Sequence, residues 1–282
     1  MNSTHLLTSA TALVALSVAS TAAAQSVVAR AVSADGDLNL TGYTNPFDPI
    51  GGGTDFSSAG DAFAILNAET DVVPFALLDQ STDGFPADTQ GIISEFDTAP
   101  FFGIADTANG DNPDSTSSAT FTFDTSSIVG PAIVSFDIAA FGDFEDGVNS
   151  SNFDFIGTEL AADLLQITVN GTLVAEGVVR AGPDDAEITR DYTVDNGTVV
   201  TLNDPLDLVV GTSVFELDED LQTVTLTIAD PGDSLTFGIE AFFDAGSEAV
   251  ALRDITVSGA AVPEPASLAL LGLGTLALRR RR

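Results

Sequence analysis

Apolar and polar residues alternate along most of this chain in short runs separated by Gly, Asn, Asp and Pro. A period of two with such breaks predicts antiparallel strands joined by turns, and helical periodicity is nearly absent between the two ends. Thr120-Phe121-Thr122-Phe123 alternates, and Val134, Phe136 and Ile138 alternate with Ser135, Asp137 and Ala139, so each run predicts a strand with one apolar and one wet face. Leu165, Ile167 and Val169 run into Asn170-Gly171, and Leu173 and Val174 resume beyond it. An Asn-Gly pair supplies the positive-φ residues of a tight hairpin turn. Val224, Leu226 and Ile228 then alternate with three threonines, Leu235, Phe237 and Ile239 follow Asp230-Pro231-Gly232, and Ile255 and Val257 close the series. About ten strands without a fixed repeat predict an all-β body, a two-sheet antiparallel β-sandwich of jelly-roll type. Asp35 to Gly60 reads as an arm or long loop, flexible at Gly51-Gly52-Gly53 and pinned by Phe47, Phe56 and Phe63. Thr107 to Ser118 reads as a further loop and Ser258 to Val262 as a short linker.

The two ends break this pattern. Residues 1–24 read as a secretory signal peptide, with an apolar core from Ala12 to Val18 and Ala22, Ala23 and Ala24 ahead of a cut near Gln25. Its first residues hold no Lys or Arg, so the amino terminus and His5 carry the positive charge. A buried N-terminal helix is the competing reading. At the other end, Val262-Pro263-Glu264-Pro265 leads into an apolar run from Ala266 to Leu278 and then Arg279, Arg280, Arg281 and Arg282. Clustered arginine resists translocation and favours anionic lipid, which keeps that end on the cytoplasmic side. As a helix the run would reach roughly 20 Å against a hydrocarbon core of about 30 Å, which suits transient anchoring better than permanent spanning.

The order Pro-Glu-Pro, apolar stretch, basic cluster resembles the PEP-CTERM sorting signal. That resemblance implies recognition and cleavage by an exosortase-type membrane protease at the cell surface, with Val262, Pro263, Glu264, Pro265 and the four terminal arginines as the signal. The chain then divides into a signal peptide (1–24), one β-sandwich domain (25–258, with 25–60 the arm) and a sorting segment with a membrane helix and basic tail (259–282). Export through the inner membrane and a surface or extracellular destination follow.

Composition narrows the chemistry of the body. The one histidine, His5, lies in the signal peptide, and the chain has no cysteine, tryptophan or lysine. The body keeps Arg30, Arg180, Arg190 and Arg253 against every acid of the chain except Glu264. A Ser-His-Asp or Cys-His nucleophile, a zinc or copper site of the ordinary kind, a Schiff-base lysine and a P-loop lysine are all excluded. So strong a negative charge repels nucleic acid phosphates. Without disulfides, stability must come from the core or from bound ions, and roughly 235 residues suffice for a large core. The carboxylates have two physical readings, a well-hydrated surface as in a saline habitat or grouped ligands for calcium.

From Phe121 to Phe155 and from Leu235 to Gly259 the chain looks similar to jelly-roll sandwiches of bacterial surface proteins and carbohydrate-binding modules. Phe136-Asp137, the loop Gly142 to Asp154, and Asp254-Ile255-Thr256-Val257 carry that likeness. It implies architecture and not activity. Within the loop, Asp143, Glu145 and Asp146 are the candidate calcium ligands, because calcium takes six to eight oxygens and Gly142 and Gly147 permit the bends; an ordinary acidic surface loop is the alternative. Asp106, Asn109, Asp111, Asn112 and Asp114 form a second oxygen-rich stretch of turn-forming residues. Glu216, Asp218, Glu219 and Asp220 form a third, expected to be solvated, and Arg253 is expected to pair with Asp137 or a loop acid.

Three functions remain, in this order: a non-enzymatic surface or matrix protein with structural calcium, a module for exopolysaccharide, and a carboxylate-based glycoside hydrolase. The body has no Trp and only Tyr43 and Tyr192, so sugar stacking would fall to Phe144, Phe153 or Phe242 where their side chains are exposed.

Overall fold

The computed structural model describes residues 25–46, 60–79, 91–107, 116–144, 163–180, 189–193, 199–243 and 248–261. The signal peptide and the sorting helix expected at the two ends lie outside these residues. The chain runs through β1 (Gln25–Ala31), β2 (Leu40–Thr44), β3 (Ala62–Leu66) and the short β4 (Leu78–Asp79) and β5 (Ile93–Ser94). β6 (Phe101–Ala105), β7 (Ser117–Asp124), β8 (Ile128–Phe141), β9 (Leu164–Val169) and β10 (Thr172–Val179) follow. After β11 (Thr189–Thr193) and β12 (Val199–Asn203), a separate hairpin, come β13 (Leu206–Val210), β14 (Ser213–Glu216), β15 (Gln222–Ile228), β16 (Ser234–Phe242) and β17 (Ala249–Ala261).

Two antiparallel sheets face each other. One has the order β15-β8-β17-β6-β3, with β1 also paired to β17, and the other β14-β13-β10-β9-β16-β7-β2. Within them, β6 pairs with β17, β7 with β16, β8 with β15 and β9 with β10. These nested pairs are those of one long hairpin rolled up so that successive pairs fall in alternate sheets, which is the jelly roll the alternation predicted. The innermost turn is Asn170-Gly171, with φ of 52° and 71° as its hairpin requires.

The inward residues named from the sequence form the core. Phe121, Phe123, Val134, Phe136, Ile138, Leu165, Ile167, Phe237 and Ile239 are almost wholly buried. Rings meet across the two sheets, Phe136 with Phe237 at 5.3 Å and Phe102 with Phe121 at 5.9 Å, both edge to face. Burying this apolar area, edge-to-face rings included, stabilises a body without disulfides.

A period of two is broken in β17. Leu252 and Ile255 both join the core although they are three positions apart, which strict alternation would place on opposite faces, because the register against β8 shifts between Arg253 and Thr256. Asp254 sits there with φ of 51° and donates its N–H to the Val32 carbonyl at 2.8 Å. An extra residue in a bulge restores the inward phase.

Several expectations need correction. One sheet face is not wet along its whole length: Val73, Ala76, Leu77, Leu78 and Ile93 cover the outer face of β3, β6 and β17 and form a second buried cluster with Leu66, Phe101, Ala105 and Ala251. Gly103 marks that close approach, since a Cβ there would meet Leu77 Cδ1 at 2.7 Å and Leu66 Cδ1 at 2.8 Å. Within the expected arm, Leu40–Thr44 is an edge strand of the second sheet, and Phe63 belongs to the main core. Phe47 and Phe56 lie outside the described residues. The expected linker is strand as far as Ala261, because Ser258, Gly259 and Ala260 pair with Val27, Ser26 and Gln25.

Candidate functional site

Register determines which loops meet. Ala105 pairs with Ala62 and with Ala249, Ala249 also with Phe141, Ser117 with Ala241, and Leu164 with Phe242. The residues next to these pairs therefore gather at one end of the sandwich: Asp61, Asp106, Asp143, Asp163 and Glu248. Both oxygen-rich loops recognised in the sequence, 107–118 and 142–154, spring from this end. Asp61, Asp163 and Glu248 are buried, Glu248 completely, and none of the three lacks an interaction partner. Nothing in the sequence singles them out, since each merely precedes an apolar strand and only the pairing brings them together.

Beneath these acids the floor is apolar. Phe144 and Phe243 are buried with ring centroids 5.4 Å apart. Phe144 is thus a core residue and not a sugar platform. The Phe243 N–H donates to the buried Thr107 hydroxyl at 2.8 Å, tying the start of one acidic loop to the end of β16. Asp106, at φ 44°, turns the chain out of β6.

Of the expected calcium ligands, Asp143 lies half-buried at this end, and Glu145 and Asp146 fall outside the described residues. Asp106 is placed here too, whereas Asn109, Asp111, Asn112 and Asp114 also fall outside. Among the described residues no three acidic side chains stand close enough together to hold a metal ion.

In the third acidic stretch Glu216 and Asp220 are exposed, as expected of a solvated cluster, and Glu216 is ion-paired besides. Glu216 is held by Arg180 at 2.6 Å and faces Arg190 at 3.9 Å, while the buried Asp207 accepts from Arg180 Nε at 2.7 Å and from Arg190 at 3.2 Å. Two arginines thus bind β11, β13 and β14 together. The hydrogen bond from Arg180, then its charge, holds the Glu216 carboxyl below the usual carboxylate range, and the same bond is the largest factor raising the Arg180 guanidinium. Asp218 accepts instead from the Gln222 amide at 3.3 Å and from the Asp220 N–H at 3.1 Å.

Arg253 pairs with Asp97 at 2.6 Å, not with Asp137. Asp137 lies opposite Arg253 in the register but accepts from the Thr223 hydroxyl at 2.6 Å, and the covering segment brings Asp97 nearer. Arg30 bonds Asp35 at 3.1 Å and the Gly36 carbonyl at 2.7 Å. All four arginines of the body are therefore engaged in ion pairs within it.

On the outward face of β7, β9 and β16 stand Thr120, Thr122, Gln166, Thr168, Thr236 and Glu240. Phe242, half-buried beside the acidic end, is the one aromatic residue of that face. Tyr43 packs on Phe121 at 4.9 Å and Phe153 lies outside the described residues.

The opposite end carries the chain termini of the body: Gln25 pairs with Ala260, and Ala261 with Ile128. Val262, Pro263, Glu264, Pro265 and Arg279 to Arg282 lie outside the described residues.

Comparison with known proteins finds the PEP-CTERM protein-sorting motif at residues 261–282. The motif implies an exported protein with a C-terminal sorting and membrane-anchoring region, processed by an exosortase, a membrane protein. No curated protein matches the chain. Among solved structures, a cleaved adhesin domain of Lys-gingipain from Porphyromonas gingivalis is similar at 10% identity and a TM-score of 0.26, covering 70% of this chain and 91% of that one.

Proposed function

We propose that this chain is a non-enzymatic surface or matrix protein, cut at its Pro-Glu-Pro signal after export and stiffened by calcium at the acidic end of its sandwich. The observation that carries the sorting half is the motif at residues 261–282, which begins where the last strand ends. Cleavage hydrolyses one peptide bond, water completing the new carboxylate and the new amine. Replacing Glu264 by Ala, or deleting Arg279 to Arg282, is expected to leave the chain uncut and membrane-held. Unchanged mature mass and location in both variants would refute it.

The non-enzymatic reading rests on a body without His, Cys or Lys. The calcium reading rests on the gathering of Asp61, Asp106, Asp143, Asp163 and Glu248 at one end, where both acidic loops begin. These described acids do not come close enough to hold an ion by themselves, so the reading needs loop acids such as Glu145 and Asp146 to complete a set of oxygen ligands for a hard divalent cation. Calorimetric unfolding with calcium, with chelator, and with sodium chloride of matched ionic strength tests it. A rise in Tm specific to low-millimolar calcium is expected, since a ligand of the native state stabilises it by mass action. A rise that sodium chloride reproduces would show general screening of a salt-adapted surface. Exopolysaccharide binding is the second reading, favoured by Phe242 beside the row of outward hydroxyl and amide groups on β7, β9 and β16.

A further inference from the structure

The sandwich is directional. β17 begins at Glu248's acidic end and finishes, about 40 Å away at strand rise, beside the first residue of β1. The signal-peptide cut expected near Gln25 and the sorting motif thus flank one strand pair, with Val262 alone between Ala261 and Pro263.

That proximity constrains the protease. Peptides are commonly bound as an added extended strand, through backbone groups that must be free. Ser258, Gly259 and Ala260 have none to offer on the β1 side, where they pair with Val27, Ser26 and Gln25. On the other side Ser258 and Gly259 pair with Ile133 and Ala132 of β8, and Gly259 lies so close to Ile128 that a Cβ would stand 2.6 Å from its Cγ2. The β1 contact is the weaker one. Gln25, Ser26 and Val27 are exposed, whereas Val28, Ala29 and Ala31 are buried. Opening the first three residues of β1 uncovers little apolar surface, and such a strand end is the sort of element that opens locally without global unfolding.

We propose that the first three residues of β1 are a latch on the sorting site. While Gln25 to Val27 lie on Ser258 to Ala260, the protease cannot draw the residues ahead of Pro263 into an extended bound strand, and cutting proceeds through release of that pair. The inference rests on the sorting reading above. It also makes removal of the signal peptide the event that frees β1 to close the latch.

The absence of cysteine makes the test clean. Val27 and Ser258 are cross-strand partners, whose Cα atoms in an antiparallel pair stand about 4.5–5.5 Å apart, within disulfide range. The full-length chain with V27C and S258C, expressed in cells that carry the sorting protease, is followed by the mass of the processed form over time. Cleavage of the oxidised protein is expected to slow about tenfold against the same protein kept reduced, since cutting of a masked segment tracks the population of its open form. A flexible Gly-Ser insertion of about ten residues after Ala261 is expected to abolish that difference and to speed cutting of the otherwise unchanged chain. Equal rates for oxidised and reduced protein, or no effect of the insertion, would overturn the latch while leaving sorting intact. A wild-type chain that is never cut, and behaves as its E264A variant does, would instead overturn the sorting reading and the latch with it.

Discussion

Asp207→Asn is the substitution whose effect the structure defines most sharply. Asp207 has 9% of its side chain accessible and accepts from Arg180 Nε at 2.7 Å and Arg190 Nη2 at 3.2 Å. The amide keeps the volume and loses the charge, and its NH2 group faces donors. Removing one partner of a buried ion pair costs about 3–5 kcal/mol, because the other charge stays buried without compensation. Arg190 is only 13% accessible and takes most of this loss, while Arg180, 30% accessible, reaches water and keeps Glu216. The discounted expectation is about 2–3 kcal/mol, or a fall in the urea midpoint of roughly 1 M at an m-value of about 2–3 kcal/mol/M. Arg190→Gln should lose a similar amount, and the double variant should lose much less than the two together, because both remove the same interaction. Amides of β11 should exchange faster in either variant, since among the described residues Arg190 supplies the ion pair between that hairpin and β13. A loss below about 0.5 kcal/mol, or one that disappears in high salt, would show that Asp207 behaves as an exposed group and would refute the reasoning.

Phe237→Ala is expected to destabilise the body by about 3–5 kcal/mol in denaturant unfolding, because a fully buried ring in edge contact with Phe136 leaves a cavity between the sheets. Gly103→Leu should detach the covering segment, since even a Cβ meets Leu77 and Leu66 at under 3 Å; faster proteolysis between residues 67 and 99 would report it while the main core stays folded. Gly171→Ala should cost about 1 kcal/mol from backbone strain alone, as φ is 71° and no atom lies within 4 Å of the added methyl. The Glu216 carboxyl is depressed in the folded state, so its contribution is present above the unfolded pKa and is lost as pH falls through the lower folded one. Acid titration of the urea midpoint should therefore show a weaker fall at low pH in Glu216→Gln than in the wild type.

The sequence by itself determined the strands whose one face is wet and whose phase is unbroken. Phe121, Phe136, Ile167, Phe237 and Ile239 could be placed in the core from a period of two, and Asn170-Gly171 named its own turn, because these are local consequences of pleat and φ. It also determined the address, since the PEP-CTERM motif at residues 261–282 is recognisable from the linear order of its residues without any fold. What lay beyond local rules was decided by tertiary structure. The bulge at Asp254 carries Leu252 and Ile255 to the same side, and the covering segment buries Phe101 and Ala105 on a face that alternation leaves to water. Four arginines among so many acids could have chosen almost any partner, and Arg253 takes Asp97 because a distant segment folds over β17. Asp61, Asp163 and Glu248 come to the same end of the sandwich, and Gln25 comes to lie beside Ala260, because nested antiparallel pairing carries residues far apart in the chain to one end of the sheets. Register is a property of the closed sandwich, and no single strand contains it.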